Sequence, residues 1–367
     1  MQAILKAAIT PRYGHIPFLS AGPAFMTDAN DIPITVAGAG SVGCYVGARL
    51  AAAGRNVTLL TRPALAATIS RHGLHCSDLE GHNIDVGPDR VTLCTTPSEA
   101  LAGAKLILVA VKSHDTEAMA ALIAEHAGGG AVAVSLQNGV SNAGLLRRRL
   151  GAERVVDAMV PFNVVQSRPA DAPPRFHRAS GGVIQIERTA TGLRPVLEVP
   201  HMPVAERDDI EAVLWGKLLV NLNNGLNALS GLPIVEQFGD RHWRALVARQ
   251  LDEGLAVLNA AGIRYAPYEG VPQRALALAL RLPDALFQVA AKRMLSMDKN
   301  ARSSMWEDLQ AGRRTEIDYL QGEIIRLADQ VGHPAPLNRR VLALVKEAET
   351  AKKGPPGLPP EAVWGAL

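Results

Sequence analysis

Three polar side chains at helical spacing could do chemistry together. In Leu214-Trp-Gly-Lys217-Leu-Leu-Val-Asn221-Leu-Asn-Asn224, the residues Lys217, Asn221 and Asn224 fall at i, i+4 and i+7, which puts them on one face of a single helix. Amide side chains are poor helix formers, and the flanking Leu214, Leu218, Leu219 and Leu222 indicate a helix largely buried in protein. Polar groups on such a face need partners, which a polar ligand would supply. The competing reading is the solvated stripe of an amphipathic helix. A second polar cluster runs from Ser303-Ser304 through Asp308 to Thr315-Glu316-Ile317-Asp318. There Gly312 suits a helix stop, Thr315 an N-cap and Asp318 the acidic third position of the next helix. Glu316 falls in that first turn, where the macrodipole tolerates its charge, and a role in a ligand cleft competes with this structural account.

A different chemistry is written in Ile34-Thr-Val-Ala-Gly-Ala-Gly-Ser-Val-Gly43, a strand that runs into a glycine turn and opens a helix. The stretch Gly38, Ala39, Gly40, Ser41, Val42 and Gly43 has the spacing in which one glycine makes a tight turn, one lets backbone approach a pyrophosphate and one lets helix pack on strand. The helix N-terminus then faces the phosphates. A second strand, Asn56 to Leu60, follows at the expected distance, so a dinucleotide site is expected here. At the end of that second strand NAD enzymes place an acidic residue, whereas this chain has Thr61-Arg62. A guanidinium at that point can clamp a 2′-phosphate and stack on adenine, which favours NADP; a solvated surface arginine is the alternative. Two more apolar runs, Leu106 to Val111 and Ala131 to Leu136, deliver Lys112-Ser113-His114 and Gln137-Asn138-Gly139 at their carboxyl ends. Lys112 can meet phosphate or carboxylate, and Asn138 can offer donor and acceptor to a nicotinamide amide or a substrate. Either also fits an ordinary loop.

The elements that must position these residues follow from patterning. A chain of 367 residues is long enough for two domains, and 48% hydrophobic with 20% charged residues excludes global disorder. Short β-branched runs alternate with alanine-rich helical stretches up to the Pro- and Gly-rich segment 168–203, after which helical patterns run from about Asp208 to Lys352. The expected fold is α/β: a dinucleotide-binding domain of Rossmann type over 32–203, then a mainly α-helical substrate-binding domain over 204–352. Residues 1–31 are expected to be a disordered extension, with Met26 as an alternative start, and 353–367 a Pro-rich tail. Leu276 to Val289 reads as helix packing surface.

Net charge is +3 with the basic residues dispersed, and 4% aromatics cannot build a stacking platform for single strands, so no nucleic-acid partner is expected. Cys44, Cys76 and Cys94 are odd in number and lack CxxC spacing, which fits a reducing compartment with the cytoplasm as default. No apolar run approaches the ~18 residues of a membrane span, so no membrane partner is expected. His72, His75, Cys76 and His82 form no recognisable four-ligand metal set, and a surface excursion after the second strand accounts for them better; no metal is expected.

Taken together, the glycine turn, Val111-Lys112-Ser113, Gln137-Asn138-Gly139, Trp215-Gly-Lys217-Leu-Leu-Val-Asn221, Ser303-Ser304-Met305 and Thr315-Glu316-Ile317-Asp318 resemble the ketopantoate reductase (2-dehydropantoate 2-reductase) family over about residues 32 to 350. The resemblance implies NADPH-dependent reduction of a 2-keto acid, ketopantoate to pantoate in pantothenate and coenzyme A biosynthesis, in a cleft between the two domains. It implies Lys217 as the general acid, Asn221 and Ser304 as substrate-orienting groups with Asn224 beside them, and Asn138 touching both cofactor and substrate. Glu316 would bind near the cofactor and the substrate hydroxyl, and Lys112 would hold the cofactor. The partner would be a small-molecule 2-keto acid, and a homodimer stays open. Three positions depart from the family pattern. Asn224 lies three residues beyond Asn221 instead of four, Ala301 stands where relatives have an asparagine three before the serine, and Ile234 follows Pro233 where a family enzyme has an asparagine. A pocket without those amides favours a more apolar 2-keto acid. Two alternatives therefore remain: a reductase of another 2-keto acid or carbonyl compound, and a non-catalytic NADP-binding regulator, which would not need Lys217 and Glu316.

Overall fold

A computed structural model describes residues 28–189, 192–290 and 298–365. The expectation of disorder over residues 1–31 therefore falls mostly outside the described residues. The chain divides into two compact units between Glu211 and Ala212. That division falls later than the 203/204 boundary read from composition, because the segment before it closes a sheet of the first unit.

The strands are β1 (Ile34–Ala37), β2 (Val57–Leu60), β3 (Leu74–Asp78), β4 (Asn83–Val86), β5 (Thr92–Cys94), β6 (Leu106–Val109), β7 (Val132–Ser135), β8 (Val155–Met159), β9 (Val164–Ser167), β10 (Arg175–Arg178), β11 (Ile184–Glu187) and β12 (Val204–Arg207). Eight of them form one sheet in the order β12-β11-β8-β7-β6-β1-β2-β5. The run from β5 to β8 is parallel, with β1 flanked by β2 and β6, so the strand order reverses at β1. Ligands of open parallel sheets sit outside the carboxyl ends of strands at such a reversal. Both faces of this sheet are buried, as parallel strands require. Leu106 and Leu108 of β6 join the cluster that holds Val36, Tyr45 and Leu59, while Ile107 and Val109 join the opposite one with Ala37, Ile123 and Leu146.

A second sheet, β4-β3-β10-β9, is not foreseen by the sequence reading. The stretch expected as a surface excursion supplies β3 and β4, and Cys76 within it is fully buried in the same core as Cys44. Burial pushes the Cys76 thiol up to about 12, so it is an inert core residue. The two short strands read as loop because their alternation is carried by His75, Ser77, Asn83 and Asp85, polar residues on the side away from that core. His75 and His82 pair with Asp85 and Asp78. Asp78, Glu80 and His82 bring three donor atoms within 4.8 Å, but the Asp78 carboxylate is already bound by the buried Arg49 guanidinium at 3.1 Å.

The second unit is helical. Its longest helices, Arg241–Ala260, Ile317–Val331 and Pro336–Ala351, pack on one another, and the first and last of them also pack on Asn223–Ser230. Glu253 accepts from the backbone amides of Leu337 and Asn338, capping the last of these helices from another element. Arg244 is fully buried, yet its guanidinium is saturated by the carbonyls of Phe238, Leu280 and Leu282 and by Asp284, and it lies 4.3 Å over the Phe287 ring. In the stretch read as packing surface, Ala277, Leu280 and Phe287 do pack inward, whereas Leu278, Leu286 and Val289 are exposed, because two short helices replace one long one. The Pro-rich tail is likewise ordered in part. Leu358 donates to the carbonyl of Leu229, and Pro360–Trp364 forms a short helix that buries Val363, with Pro360 at a first-turn position where its missing N–H costs nothing. No helix among the described residues is long and apolar enough to cross a membrane.

Candidate active site

The structure sorts the expected site residues into two groups, one in each unit. Gly38 to Gly43, Arg62, Lys112 and Asn138 lie on the sheet unit, and Lys217, Asn221, Asn224, Ser304 and Glu316 on the helical one.

On the sheet unit, β1 ends at Ala37 and the helix Ser41–Ala52 starts four residues later. Gly38 has φ +99°, and a Cβ there would come 2.6 Å from the Val111 backbone nitrogen, so glycine is required twice over. A Cβ on Gly43 would meet the Gly38 carbonyl at 2.4 Å and Val36 at 3.0 Å, which is the close helix–strand packing expected of that position. Around Gly40 nothing lies within 4 Å of a notional Cβ. The helix that follows has Gly40 at its N-cap, with no side-chain cap and no acidic residue in its first turn. A bare helix start beside a glycine with open space fits a pyrophosphate. Arg62 stands at the N-cap of Pro63–His72, beyond the end of β2, exposed and without a side-chain hydrogen bond among the described residues. This placement suits a 2′-phosphate clamp.

Lys112 and Asn138 follow β6 and β7, and a buried polar network that the sequence reading missed welds their loops together. The Gln137 amide donates to the Val111 carbonyl at 3.0 Å and to the Thr116 hydroxyl at 2.7 Å. The Asn142 amide donates to Ser113 Oγ at 3.0 Å and to the Asn138 carbonyl at 2.6 Å, while its Oδ1 lies 2.9 Å from the Thr116 hydroxyl. Ser113, Thr116, Gln137 and Asn142 are all buried. Such a cluster fixes a loop firmly because every member has a partner. Polar residues just after two apolar strands were the available signal.

On the helical unit, the one-helix reading of Lys217, Asn221 and Asn224 needs correction. The helix Ile210–Asn221 stops, Leu222 interrupts, and a second helix runs Asn223–Ser230. The Leu222 carbonyl, at the N-cap of that second helix, also accepts from the Gln321 amide at 2.7 Å. Lys217 and Asn221 still share a face, and Asn224 belongs to the next helix. Its backbone carbonyl accepts from Ser303 Oγ at 3.0 Å, and its half-buried side chain makes no hydrogen bond among the described residues. The deeper amide is Asn227, which the sequence reading passed over. It donates to the Leu232 carbonyl and to Gln237, and accepts from the Ser303 amide at 2.8 Å. Ser303 caps the helix Ser304–Gln310 by accepting from Trp306, so Ser304 sits half-buried at the first helical position. The two departures Ile234 and Ala301 meet, since the Ile234 amide donates to the Ala301 carbonyl at 2.8 Å.

Glu316, not Thr315, occupies the N-cap of Ile317–Val331, and its side chain is buried without capping the helix. Thr315 instead bonds Glu349 through its amide and hydroxyl at 2.7 and 2.6 Å, and its hydroxyl accepts from Ile317 at 3.2 Å. Asp318 pairs with Lys346 and Arg314, which hold its carboxyl below the usual range against burial. The boundary shifts by one residue because Glu349, on a distant helix, claims Thr315.

Lys217 is half-buried on its helix, and burial pushes its ammonium down to about 8, opposed by the Glu269 carboxylate. Its Nζ lies 3.4 Å from the Tyr268 hydroxyl and 5.2 Å from the centre of that ring. An amine so poised carries a proton at neutral pH and releases it readily. Tyr268 has no counterpart in the sequence reading, because nothing local marks it.

Residues 34–190 match the model of the ketopantoate reductase PanE/ApbA family and residues 209–349 match the PanE/ApbA C-terminal model. A ketopantoate reductase of that family from Ralstonia eutropha JMP134 is 32% identical with a TM-score of 0.73, covering 88% of this chain and 100% of that one. A 2-dehydropantoate 2-reductase from Archaeoglobus fulgidus is 27% identical over 322 residues, 86% of this chain and 98% of the relative. A D-mandelate dehydrogenase solved with NADH and anilino(oxo)acetate shares the fold, with a TM-score of 0.70 at 20% identity over 88% of this chain and 99% of that one. The chain therefore belongs to the PanE/ApbA ketopantoate reductase family, a pyridine-nucleotide-dependent oxidoreductase acting on a CH–OH/C=O pair.

Proposed function

We propose that this protein reduces a 2-keto acid to the 2-hydroxy acid with NADPH, with Lys217 as the proton donor and ketopantoate as the first substrate to test. The observation that carries the reading is Lys217 itself, a half-buried ammonium brought down to about 8 on a helix face shared with Asn221. A bound nicotinamide would supply the hydride that reaches the carbonyl carbon. Lys217 would give its Nζ proton to the carbonyl oxygen as negative charge develops there, leaving a neutral amine that solvent reprotonates. Asn221 and Ser304 would orient the carboxylate and carbonyl, with Asn224 and Glu316 contributing to binding. Gly38 to Gly43 and Lys112 would hold the phosphates, Asn138 the nicotinamide end, and Arg62 the 2′-phosphate.

The test is NADPH oxidation with ketopantoate, 2-ketoisovalerate and aromatic 2-keto acids, with Lys217→Ala as control. Loss of about 10²–10⁴ in kcat is expected for that variant with nucleotide binding retained. The rate of reduction should fall above about pH 8, where Lys217 loses its proton, and the reverse oxidation should rise there. An unchanged kcat in Lys217→Ala would sink the mechanism. For Arg62→Ala, affinity for NADPH should drop about 10- to 100-fold with NADH unaffected, the scale of one or two charge-assisted hydrogen bonds. Equal losses for both nucleotides would sink the NADP preference.

A second substrate reading is favoured by Ile234 and Ala301, aliphatic residues whose backbones are joined by a hydrogen bond where the resemblance has amides. Faster turnover of branched or aromatic 2-keto acids than of ketopantoate would select it.

A further inference from the structure

Lys217 is approached by an element outside the sequence motifs described above. The amides and carbonyls of Tyr268 and Val271 pair with each other at 3.1 and 2.9 Å, and between them Glu269 and Gly270 both take positive φ, 49° and 79°. This is the two-residue hairpin turn in which both central residues are left-handed. Glycine and asparagine are the usual occupants; here the first is glutamate, whose Cβ makes the conformation costly. A residue that keeps a strained backbone is a reason to ask what its side chain does.

The hairpin is docked on the helix of Lys217 at fixed points. The Ala266 amide donates to the Ala212 carbonyl at 2.8 Å. The Ala266 carbonyl lies so close to Gly216 that a Cβ there would come within 2.1 Å of it. The buried Gln273 amide clamps both surfaces together, donating to Ala266 O at 2.7 Å and to Gly216 O at 3.2 Å. Gly216 thus explains the glycine in Trp215-Gly-Lys217: it admits a second chain segment one residue before the lysine. The consequence is that Tyr268 is set against Lys217 with little freedom.

We propose, resting on the reading of Lys217 as proton donor, that the Tyr268–Val271 hairpin is a positioning element for it: the Tyr268 hydroxyl and ring face hold and aim the ammonium, and the Glu269 carboxylate supports its charge. The phenol oxygen accepts from the ammonium before proton transfer and its O–H can donate to the amine afterwards, so neither state leaves an orphaned group. Burial and Glu269 both push the Tyr268 hydroxyl upward, which keeps it a neutral phenol over the working range. The ring quadrupole adds attraction for the charged form alone. The Glu269 field favours the charged form of Lys217, and Tyr268 is a titratable group in contact with it.

The experiment measures the titration of Lys217 directly, by trace acetylation across pH with mass spectrometry of its peptide, in the wild-type protein and in Tyr268→Phe and Glu269→Gln. Tyr268→Phe keeps the ring and should lower the midpoint by about half to one pH unit, the effect of one hydrogen bond to a charged group. Glu269→Gln should lower it by less, since that carboxylate is exposed. In steady state, Tyr268→Phe should cut kcat about three- to tenfold and move the alkaline limb down with the labelling midpoint, leaving KM for the 2-keto acid unchanged. An unmoved midpoint in Tyr268→Phe overturns the proposal, as does a KM effect with the pH profile unchanged. If the wild-type protein turns over no 2-keto acid, the reductase reading fails, while the labelling midpoints still decide the role of the hairpin. Glu269→Asn separates turn geometry from charge: it suits the left-handed turn, so it should raise thermal stability while shifting the midpoint as Glu269→Gln does.

Discussion

At the glycine turn, the residue types themselves carry the constraint. Gly38 and Gly43 are glycine because Val111, Val36 and the turn's own carbonyl leave no room for a Cβ, so the requirement is visible as a letter in the sequence. The asparagine-rich segment is built the other way. Its break falls at Leu222, whose carbonyl takes the Gln321 amide, and its buried amide Asn227 is committed to Gln237, Leu232 and Ser303. Nothing in Asn221-Leu-Asn-Asn224 announces those partners. Helical spacing alone treats Asn224 as the third member of a ligand-facing row, whereas the structure places it on a second helix. A motif defined by missing side chains is therefore read correctly from sequence more easily than one defined by side chains that choose among partners.

The sharpest way to break this contrast starts at the glycines. Gly43→Ala should destabilise the sheet unit by about 2–3 kcal/mol, since its Cβ meets backbone at 2.4 Å and an overpacked site must shift. Gly40→Ala should cost less, about 1 kcal/mol at most, since alanine is the poorer N-cap but its Cβ meets nothing within 4 Å. It should still weaken nucleotide binding about tenfold or more, because the new methyl group fills the space a pyrophosphate would use. Denaturant midpoints and nucleotide titrations on both variants check the pair. Equal stability losses would mean that the open space at Gly40 has no functional meaning.

The same division marks what sequence could show of the fold. Four strands of the parallel run, β1, β2, β6 and β7, were legible to within a residue or two, because runs such as Leu106–Val109 are apolar on both faces and bounded by turns, whereas β5 and β8 went unread. The sheet of β3, β4, β9 and β10 was not, since polar residues occupy its outer side and the pairing of β3 with β10 joins segments about a hundred residues apart in sequence. Of the candidate site, Lys217, Arg62 and the glycine turn could be proposed from sequence. Tyr268 could not: its place beside Lys217 depends on Gly216 and Gln273 agreeing on where one carbonyl goes.

A smaller effect tests the asparagine-rich side of the comparison. Asn227→Ala leaves Gln237 and the Ser303 amide short of a partner in a fully buried position and should cost about 2 kcal/mol, read from urea unfolding. Asn224→Ala should stay within about 0.5 kcal/mol, because the bond from Ser303 is to its backbone carbonyl, which alanine keeps. Its expected consequence is a rise in KM for the 2-keto acid. If Asn224→Ala proves the more destabilising of the two, the assignment of Asn227 as the structural amide and Asn224 as the available one is reversed.

The smallest expected effect ties the site to stability through Lys217. Its pKa of about 8 lies below the 10.5 of the unfolded chain, so between those values the unfolded state binds more protons and stability rises with pH. Below about pH 8 the penalty is constant: the folded protein carries an ammonium that burial disfavours. Lys217→Met removes that penalty while keeping an unbranched side chain of similar reach. The full linkage would be ~3 kcal/mol, but a half-buried amine with Tyr268 and Glu269 beside it recovers part of this, so about 1 kcal/mol of added stability is expected at pH 7. The advantage should shrink as pH rises through 8 toward 10.5, where the wild-type amine is neutral in the folded state. Paired urea unfolding curves at pH 7 and 9.5 decide it. A gap that does not close with pH would mean that packing, not the charge of Lys217, sets the difference, and that the helix face bearing the proton donor was never under electrostatic strain.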